Sequence, residues 1–376
     1  MADNSDKKCQ SDKTDRQRRR LLKATGGAAL VSAVGLPQSS RADAAQAVRW
    51  GFVGTGGIAN SMARVVTLTP EAELAAVSSR RMESAKAFAE KHGAALAFDS
   101  WAEMFGSDEI DAIYVATPTS VREEISVAAA NNGKHVLAEK PFASLESMQN
   151  IIAACEKNDV GFMDGTHFVH HPRTHEIRDN MADLVGWAWS VDSAFQFNLR
   201  DKGNIRYNPV LEPMGAIGDA GWYNMRAAVE YLAPDTELAS VDAYLRRDED
   251  TGAAKAGSGV LRFADGSTST WNCGFDSGAV IMDLRISGTG GSVSIDNFLS
   301  QSPDSSADYL SRSGGWGPGA QSRTVTVDSS LPGSALMFED FAKMVRDPAL
   351  RERWARASLR TQALLDAVWR SALENE

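Results

Sequence analysis

The sequence predicts an α/β protein in two parts: a parallel sheet wrapped by helices, then an α+β region with an open, largely antiparallel sheet. Three observations carry that expectation. Short apolar runs alternate with helical stretches between residues 48 and 163, a glycine-rich turn joins the first run to the first helix, and longer alternating strands take over from residue 187. At 376 residues the chain is also longer than one ordinary hydrophobic core accommodates.

Taken in order, residues 48–53 read as a buried strand and 57–66 as the helix after it. A second strand at 73–77 precedes a helix at 82–92, and strands at 111–116 and 134–138 flank an Ala/Val-rich helix at 120–132. A helix at 145–157 leads to a last short strand at 160–163. Such βα alternation places helices on both faces of a parallel sheet. Beyond it, strands are expected at 187–197, 239–245, 258–263, 267–275 and 282–287, with Asp265-Gly266 as a hairpin signal. A helix at 221–232 is expected to pack on that sheet. Residues 301–323, rich in Ser, Gly and Pro around Trp316, read as a long loop, either a lid, an oligomer contact or a mobile surface segment. The C-terminal helix aligns Trp354, Ser358, Thr361, Leu365 and Val368 on one stripe, a core-packing pattern.

Hydrophobic residues at 43% and charged residues at 23% are those of a soluble globular protein. A net charge of −10 argues against tracking nucleic-acid phosphates, which needs basic surface. Three cysteines are too few for a disulfide framework, and Cys155 and Cys273 read as small buried apolar residues. No cluster of His, Cys and Asp has metal-ligand spacing, so no metal is expected.

The first 45 residues stand apart. Gln17-Arg18-Arg19-Arg20-Leu21-Leu22-Lys23 resembles a twin-arginine export signal, followed by a weakly apolar stretch at 24–36 and the cleavage-like Ala42-Asp43-Ala44. The apolar run is too short for a permanent membrane span. The expected organisation is a removed signal at 1–45, a dinucleotide-binding domain at 46–166 and a substrate-binding and oligomerisation domain at 167–376, in a periplasmic or otherwise exported protein.

The turn Gly54-Thr55-Gly56-Gly57-Ile58-Ala59 is a G-x-G-x-x-A sequence between a strand and a helix, the context that makes it a Rossmann dinucleotide fingerprint. Gly54 makes the tight turn, Gly56 lets backbone approach a pyrophosphate, and the helix N-terminus faces the anion. The second strand ends in Val77-Ser78-Ser79-Arg80-Arg81, without the carboxylate that holds a ribose 2′-hydroxyl. Ser79, Arg80 and Arg81 suit a 2′-phosphate instead, so the expected cofactor is NADP.

Two further segments, Ala138-Glu139-Lys140-Pro141 and Gly218-Asp219-Ala220-Gly221-Trp222-Tyr223, together with Ala116-Thr117-Pro118-Thr119-Ser120, resemble the glucose–fructose oxidoreductase/inositol dehydrogenase/rhizopine catabolism family. The similarity is greatest to its glucose–fructose oxidoreductase and NADP-linked D-xylose dehydrogenase branch, which Asn204-Ile205-Arg206 and Leu211-Glu212-Pro213-Met214-Gly215 strengthen. The resemblance implies that Lys140 is the catalytic lysine, that Asp219 and Tyr223 form the other half of the site, and that Thr117, Pro118 and Glu139 join Lys140 at the cofactor. Tyr223 stands where many relatives carry His. Arg122 stands where relatives often place His, which leaves the contacts of its loop open. His167, His170 and His171 fall where sugar-oxidising relatives carry Tyr, Arg or His, so His167 or His170 is a candidate substrate contact. The resemblance also implies a homo-oligomer, dimer or tetramer, built through the second sheet.

The chemistry implied is hydride transfer between NADP and a CH–OH group of an aldose or related polyol, with a protein group handling the oxygen's proton. A tyrosine has an unperturbed pKa of about 10, and a neighbouring ammonium lowers it. Tyr223 is therefore expected as the acid/base, tuned by Lys140, or Lys140 takes the proton itself; Asp219 orients Lys140 or the substrate. Competing expectations are a self-recycling enzyme with non-dissociating NADP, a dihydrodiol dehydrogenase, or a redox-neutral NAD-dependent glycosidase.

Overall fold

The computed structural model describes residues 46–232, 236–299 and 305–376. The expected export signal at 1–45 lies outside the described residues, as do residues 301–304 of the expected loop. The first sheet is built by β1 (Val48–Val53), α1 (Gly57–Val66), β2 (Ala72–Ser78), α2 (Met82–His92), β3 (Leu96–Phe98), α3 (Trp101–Phe105), β4 (Ala112–Val115), α4 (Thr119–Asn131), β5 (His135–Ala138), α5 (Leu145–Lys157) and β6 (Phe162–Asp164). All its pairings are parallel, in the order β3-β2-β1-β4-β5-β6. The order reverses between β1 and β4, and a crevice opens at the C-terminal ends of strands where such a reversal occurs. β1 holds Trp50 and Phe52 fully buried, and α1 buries Ala59, Met62, Ala63 and Val66, one helical stripe, against the sheet. β3 and α3 are too short to show periodicity in the sequence.

After Asp164 come α6 (Pro172–Asp179), α7 (Met181–Leu184), β7 (Ala188–Asn198), α8 (Gly215–Asp219) and α9 (Gly221–Tyr231). They are followed by β8 (Leu238–Arg247), β9 (Ala254–Phe263), β10 (Thr268–Gly274), β11 (Asp276–Ile281), β12 (Leu284–Gly288), β13 (Gly291–Ile295), β14 (Ala307–Ser313) and β15 (Gln321–Val327). These strands form a sheet ordered β15-β14-β13-β12-β7-β10-β9-β8, with β11 also on β7. Only β7 and β10 run parallel; the other pairings are antiparallel. α9 lies between this sheet and the last helix, which buries nearly its whole circumference.

The loop expected at 301–323 is corrected by β14 and β15, a hairpin in register from Ala307↔Val327 to Ser313↔Gln321. Ala307 and Tyr309 alternate into the core while Asp308 faces out, a period hidden by the polar composition. The Gly/Pro-rich part is only the hairpin's end, where Trp316 is fully exposed.

The chain closes with α10 (Gly333–Arg346) and α11 (Arg351–Glu374), and both return to the first sheet. Phe338 and Phe341 of α10 pack on Trp50 with ring centroids 5.0 and 4.6 Å apart. In α11, Gln362 bonds both the N–H and the carbonyl of Phe142 at 3.1 and 3.2 Å. The expected stripe Trp354, Ser358, Thr361, Leu365 and Val368 is buried. Sheet membership changes after Asp164, yet the described residues from 46 onward form one compact unit. Cys155 and Cys273 are buried free thiols, each pushed up to about 12 by burial. Among the described residues no helix is long and apolar enough to cross a membrane.

Candidate active site

The glycine turn ends β1 in a backbone that only glycine adopts without strain. Gly54 has φ +110°, and a Cβ there would stand 2.8 Å from the Ala116 carbonyl oxygen of the neighbouring strand's turn. Its N–H donates to Ser78 O at 2.9 Å, tying the turn to the end of β2. Gly56 and Gly57 have nothing within 4 Å of where a Cβ would be, and no side chain caps α1. The first N–H groups of α1 therefore face open space, the arrangement that receives a phosphate. Asn60 braces this turn: its Nδ2 donates to Thr55 O and Gly56 O, both at 3.0 Å, while its Oδ1 meets Lys91 Nζ at 2.8 Å and His92 Nε2 at 2.9 Å. The uncapped N-terminus and the open glycines fit a dinucleotide.

Ser79, Arg80 and Arg81 follow β2 beside that turn, Ser79 half-buried and both arginines exposed. Arg81 Nε reaches Ser84 Oγ at 3.2 Å, whereas Arg80 has no hydrogen bond or ion pair among the described residues. None of the three lines the main cavity.

That cavity, of about 830 Å³, opens beyond the turn. Gly56, Gly57, Ile58, Thr117, Glu139 and Lys140 line its first-sheet side; Phe195, Phe197, Arg206, Asp219 and Tyr223 close it from the second. Gly54, Thr55 and Pro118 support the wall without lining it. Lys140 follows β5 at a cis Lys140–Pro141 bond. A Cβ on Gly218 would lie 3.0 Å from Pro141 Cγ, so glycine there lets α8 settle against this turn and brings Asp219 to Lys140. Lys140 Nζ donates to Asp219 Oδ1 at 2.8 Å and to Asp219 O at 3.0 Å, and Arg206 Nε donates to Asp219 Oδ2 at 2.7 Å. The Asp219 carboxylate bridges two cations and caps no helix.

Tyr223, on the first turn of α9, presents its ring face to Lys140, with Nζ 4.7 Å from the ring centroid. The expectation that Lys140 brings the phenol's pKa down is corrected here. Burial pushes Tyr223 up to about 12, and the opposing pull of Lys140 is outweighed. Burial alone would lower the Lys140 ammonium, yet Asp219 and then Tyr223 and Glu139 raise it. Burial likewise raises Asp219, but Lys140 and Arg206 hold it well below the usual carboxylate range. Glu139, raised by burial, accepts from Tyr114 Oη at 2.5 Å.

His167 lines the cavity, its ring centroid 5.8 Å from that of Tyr223, and burial lowers it to about 4, so it is a neutral imidazole. His170 is not brought there: its Nδ1 meets Asp340 Oδ2 at 2.8 Å and its ring stacks on Trp354 at 4.6 Å. His171 Nε2 meets Ser305 O at 2.8 Å, and its Nδ1 accepts from Arg173 N at 3.0 Å. Arg122 is a buried clamp, donating to Thr117 O at 2.5 Å, to Thr119 Oγ1 at 3.1 Å and to the Pro141 carbonyl. It joins the two turns that carry Thr117 and Lys140.

Sequence reasoning assigned no site role to Arg206, Glu212, Asn60, Phe195 or Phe197. Glu212 accepts from Thr119 N at 3.1 Å and Thr119 Oγ1 at 2.5 Å, a pairing across 93 residues that no local pattern announces. Arg206 sat in a noted motif, but its pairing with Asp219 is a tertiary fact.

Known proteins share this architecture. A family model described as oxidoreductase family, NAD-binding Rossmann fold, matches residues 48–166. D-xylose 1-dehydrogenase (NADP(+)) 2 of Haloferax volcanii is 31% identical over 229 residues, 60% of this chain and 69% of that protein. The dTDP-3,4-didehydro-2,6-dideoxy-α-D-glucose 3-reductase of Actinomadura kijaniata is 30% identical over 235 residues, 62% of this chain and 70% of that protein. The crystal structure of a 3-ketoreductase from Actinomadura kijaniata in complex with NADP and TDP-benzene superposes with a TM-score of 0.77 at 25% identity, covering 86% of this chain and 97% of that one. Because curated relatives of this identity are matched over more than two thirds of their length, the chain belongs to the glucose–fructose oxidoreductase/inositol dehydrogenase/rhizopine catabolism family of NAD(P)-dependent oxidoreductases that act on sugar-related alcohols and ketones.

Proposed function

We propose that the protein is an NADP-dependent oxidoreductase that interconverts a CH–OH group and a carbonyl on a sugar or related polyol. The observation that carries this reading is the meeting of Lys140 and Tyr223, from opposite sides, in the cavity beyond the glycine turn. Gly56, Gly57 and Ile58 would hold the pyrophosphate end of the nucleotide, Ser79, Arg80 and Arg81 its 2′-phosphate, and Thr117, Glu139 and Lys140 the nicotinamide end. When bound, the nicotinamide supplies the site for hydride exchange. Both curated relatives act on sugars or nucleotide sugars by name, and the xylose enzyme is named for NADP.

The chain's own groups then divide the work on the substrate oxygen. An ammonium has three N–H donors; Lys140 commits two to Asp219 and keeps one for a substrate oxygen. The Tyr223 hydroxyl has no hydrogen bond among the described residues, and at about 12 its pKa keeps it protonated at neutral pH. A neutral phenol beside an ammonium is the state that donates a proton to the oxygen as a carbonyl is reduced. Asp219 holds Lys140 charged, and Arg206 keeps Asp219 ionised. Phe195 and Phe197 offer an apolar wall to the C–H face of a ring.

Export by the twin-arginine route and homo-oligomerisation through the second sheet belong to the same proposal. The Arg18-Arg19 signal order supports the first; exposed Trp189 and Tyr244 on that sheet support the second. Export of a folded holoprotein favours a nucleotide that stays bound. The test is denaturation of the purified holoenzyme and mass analysis of what is released. A nucleotide carrying a 2′-phosphate is expected, and NAD, or no nucleotide, would refute the assignment.

A further inference from the structure

A second cavity, of about 780 Å³, lies at the other end of α9 and shares no lining residue with the first. Its charge is the opposite of the molecule's: in a chain of net charge −10, Arg178, Arg353, Arg356 and Arg360 converge on it. Among the described lining residues the only carboxylate is Glu230, already engaged with Arg226 Nε at 2.9 Å and Arg178 Nη1 at 3.6 Å; Arg178 also meets Asp179 Oδ1 at 3.1 Å, and Arg356 is likewise engaged. Arg353 lies over the Trp354 ring, 4.9 Å from its centroid. The Arg360 side chain has no ion pair or hydrogen bond among the described residues, and its Nη2 is out of contact with water. A guanidinium N–H buried without an acceptor is costly, and a small rotation of the side chain towards the cavity that it lines would let an anion or a water there accept from it. The walls between these cations are apolar: Met181, Val229 and Leu232 line them, and Trp187 stands 53% exposed at the edge. A site with cations on one side and an indole on another matches a molecule with an acidic group on an apolar body.

We propose that this second cavity binds a small organic anion, a phosphate or carboxylate carried on an apolar body, with Arg360 as its principal counter-charge and Trp187 as its apolar wall. The inference is independent of the redox assignment. Isothermal titration of the holoenzyme with 1-naphthyl phosphate, 1-naphthoate, 1-naphthol and inorganic phosphate tests it. One or both aryl anions bind, and which of them binds more tightly identifies phosphate or carboxylate as the acidic group. The neutral naphthol and the bare phosphate bind at least about tenfold more weakly, since each lacks one half of the match. Arg360→Gln weakens the aryl anion by about tenfold or more, Arg360→Lys restores part of it, and Trp187→Ala weakens it without touching inorganic phosphate. Sugar turnover by Arg360→Gln stays at the parent value. The proposal is overturned if neither aryl anion binds below about 10 mM, if Arg360→Gln binds as the parent does, or if a sugar substrate competes with the anion.

Discussion

Replacing Tyr223 with Phe separates chemistry from structure unusually cleanly. The Tyr223 ring packs against Phe195, His167 and Phe168 at centroid distances of 5.6, 5.8 and 6.3 Å, with Lys140 over its face, and Phe keeps all of these. The hydroxyl removed has no partner among the described residues, so no buried donor or acceptor is orphaned. Folding stability should therefore change by no more than about 0.5 kcal/mol. The loss of a positioned proton donor costs about 100- to 10,000-fold in turnover, equivalent to about 3–5 kcal/mol of barrier. The assay is steady-state nicotinamide absorbance in the carbonyl-reducing direction, paired with urea denaturation and a measurement of bound nucleotide. Turnover within about threefold of the parent would remove the phenol from the mechanism. A fall in turnover accompanied by an equal loss of stability or nucleotide would make Tyr223 a packing residue.

Arg80→Ala should weaken NADP by about 10- to 100-fold, the worth of a charge-assisted bond of about 1.5–3 kcal/mol, while leaving NAD affinity unchanged. Equal losses for both nucleotides, read by fluorescence titration, would show that Arg80 does not sense the 2′-phosphate. His135, lowered to about 4 by burial, makes stability depend on pH. Its folded pKa lies below the unfolded value of about 6.5, so its neutral form contributes in full above pH 6.5 and the contribution disappears as pH falls towards 4. The amount at stake is about 3 kcal/mol at most. His135→Asn, whose amide oxygen can still accept from Gly161 N, should flatten the loss of urea stability between pH 7 and pH 4.5. A variant that loses as much stability as the parent over that interval would contradict this.

What the sequence makes legible is local. The βα alternation, the G-x-G-x-x-A turn and the Lys140 and Asp219 motifs each lie within a few residues, and the two sheets follow from their periodicities. β14 and β15 were hidden because polar residues and the glycines near Trp316 mask a period of two. Arg206 and Glu212 were missed because each acquires its meaning from a partner in another element. His167 and His170 stand three apart, and nothing local distinguishes them; Asp340, 170 residues further on, is what claims His170. The Tyr223 correction has the same origin. Adjacency of Lys140 sets the sign of one influence, whereas the larger one, burial, depends on how α9 is sandwiched.

The central claim is that Lys140 and Tyr223 act on one substrate oxygen beside a bound nicotinamide. Its most direct test is rapid mixing of holoenzyme with a panel of aldoses, ketoses and polyols, following nicotinamide absorbance in the parent and in Lys140→Met. With Lys140 gone, Asp219 keeps Arg206 as counter-charge, so the variant should fold and retain nucleotide. At least one sugar or polyol should change the parent's absorbance in a single turnover, and Lys140→Met should slow that change by about 100-fold or more. A parent that responds to none of them, or a methionine variant as fast as the parent, would contradict the account.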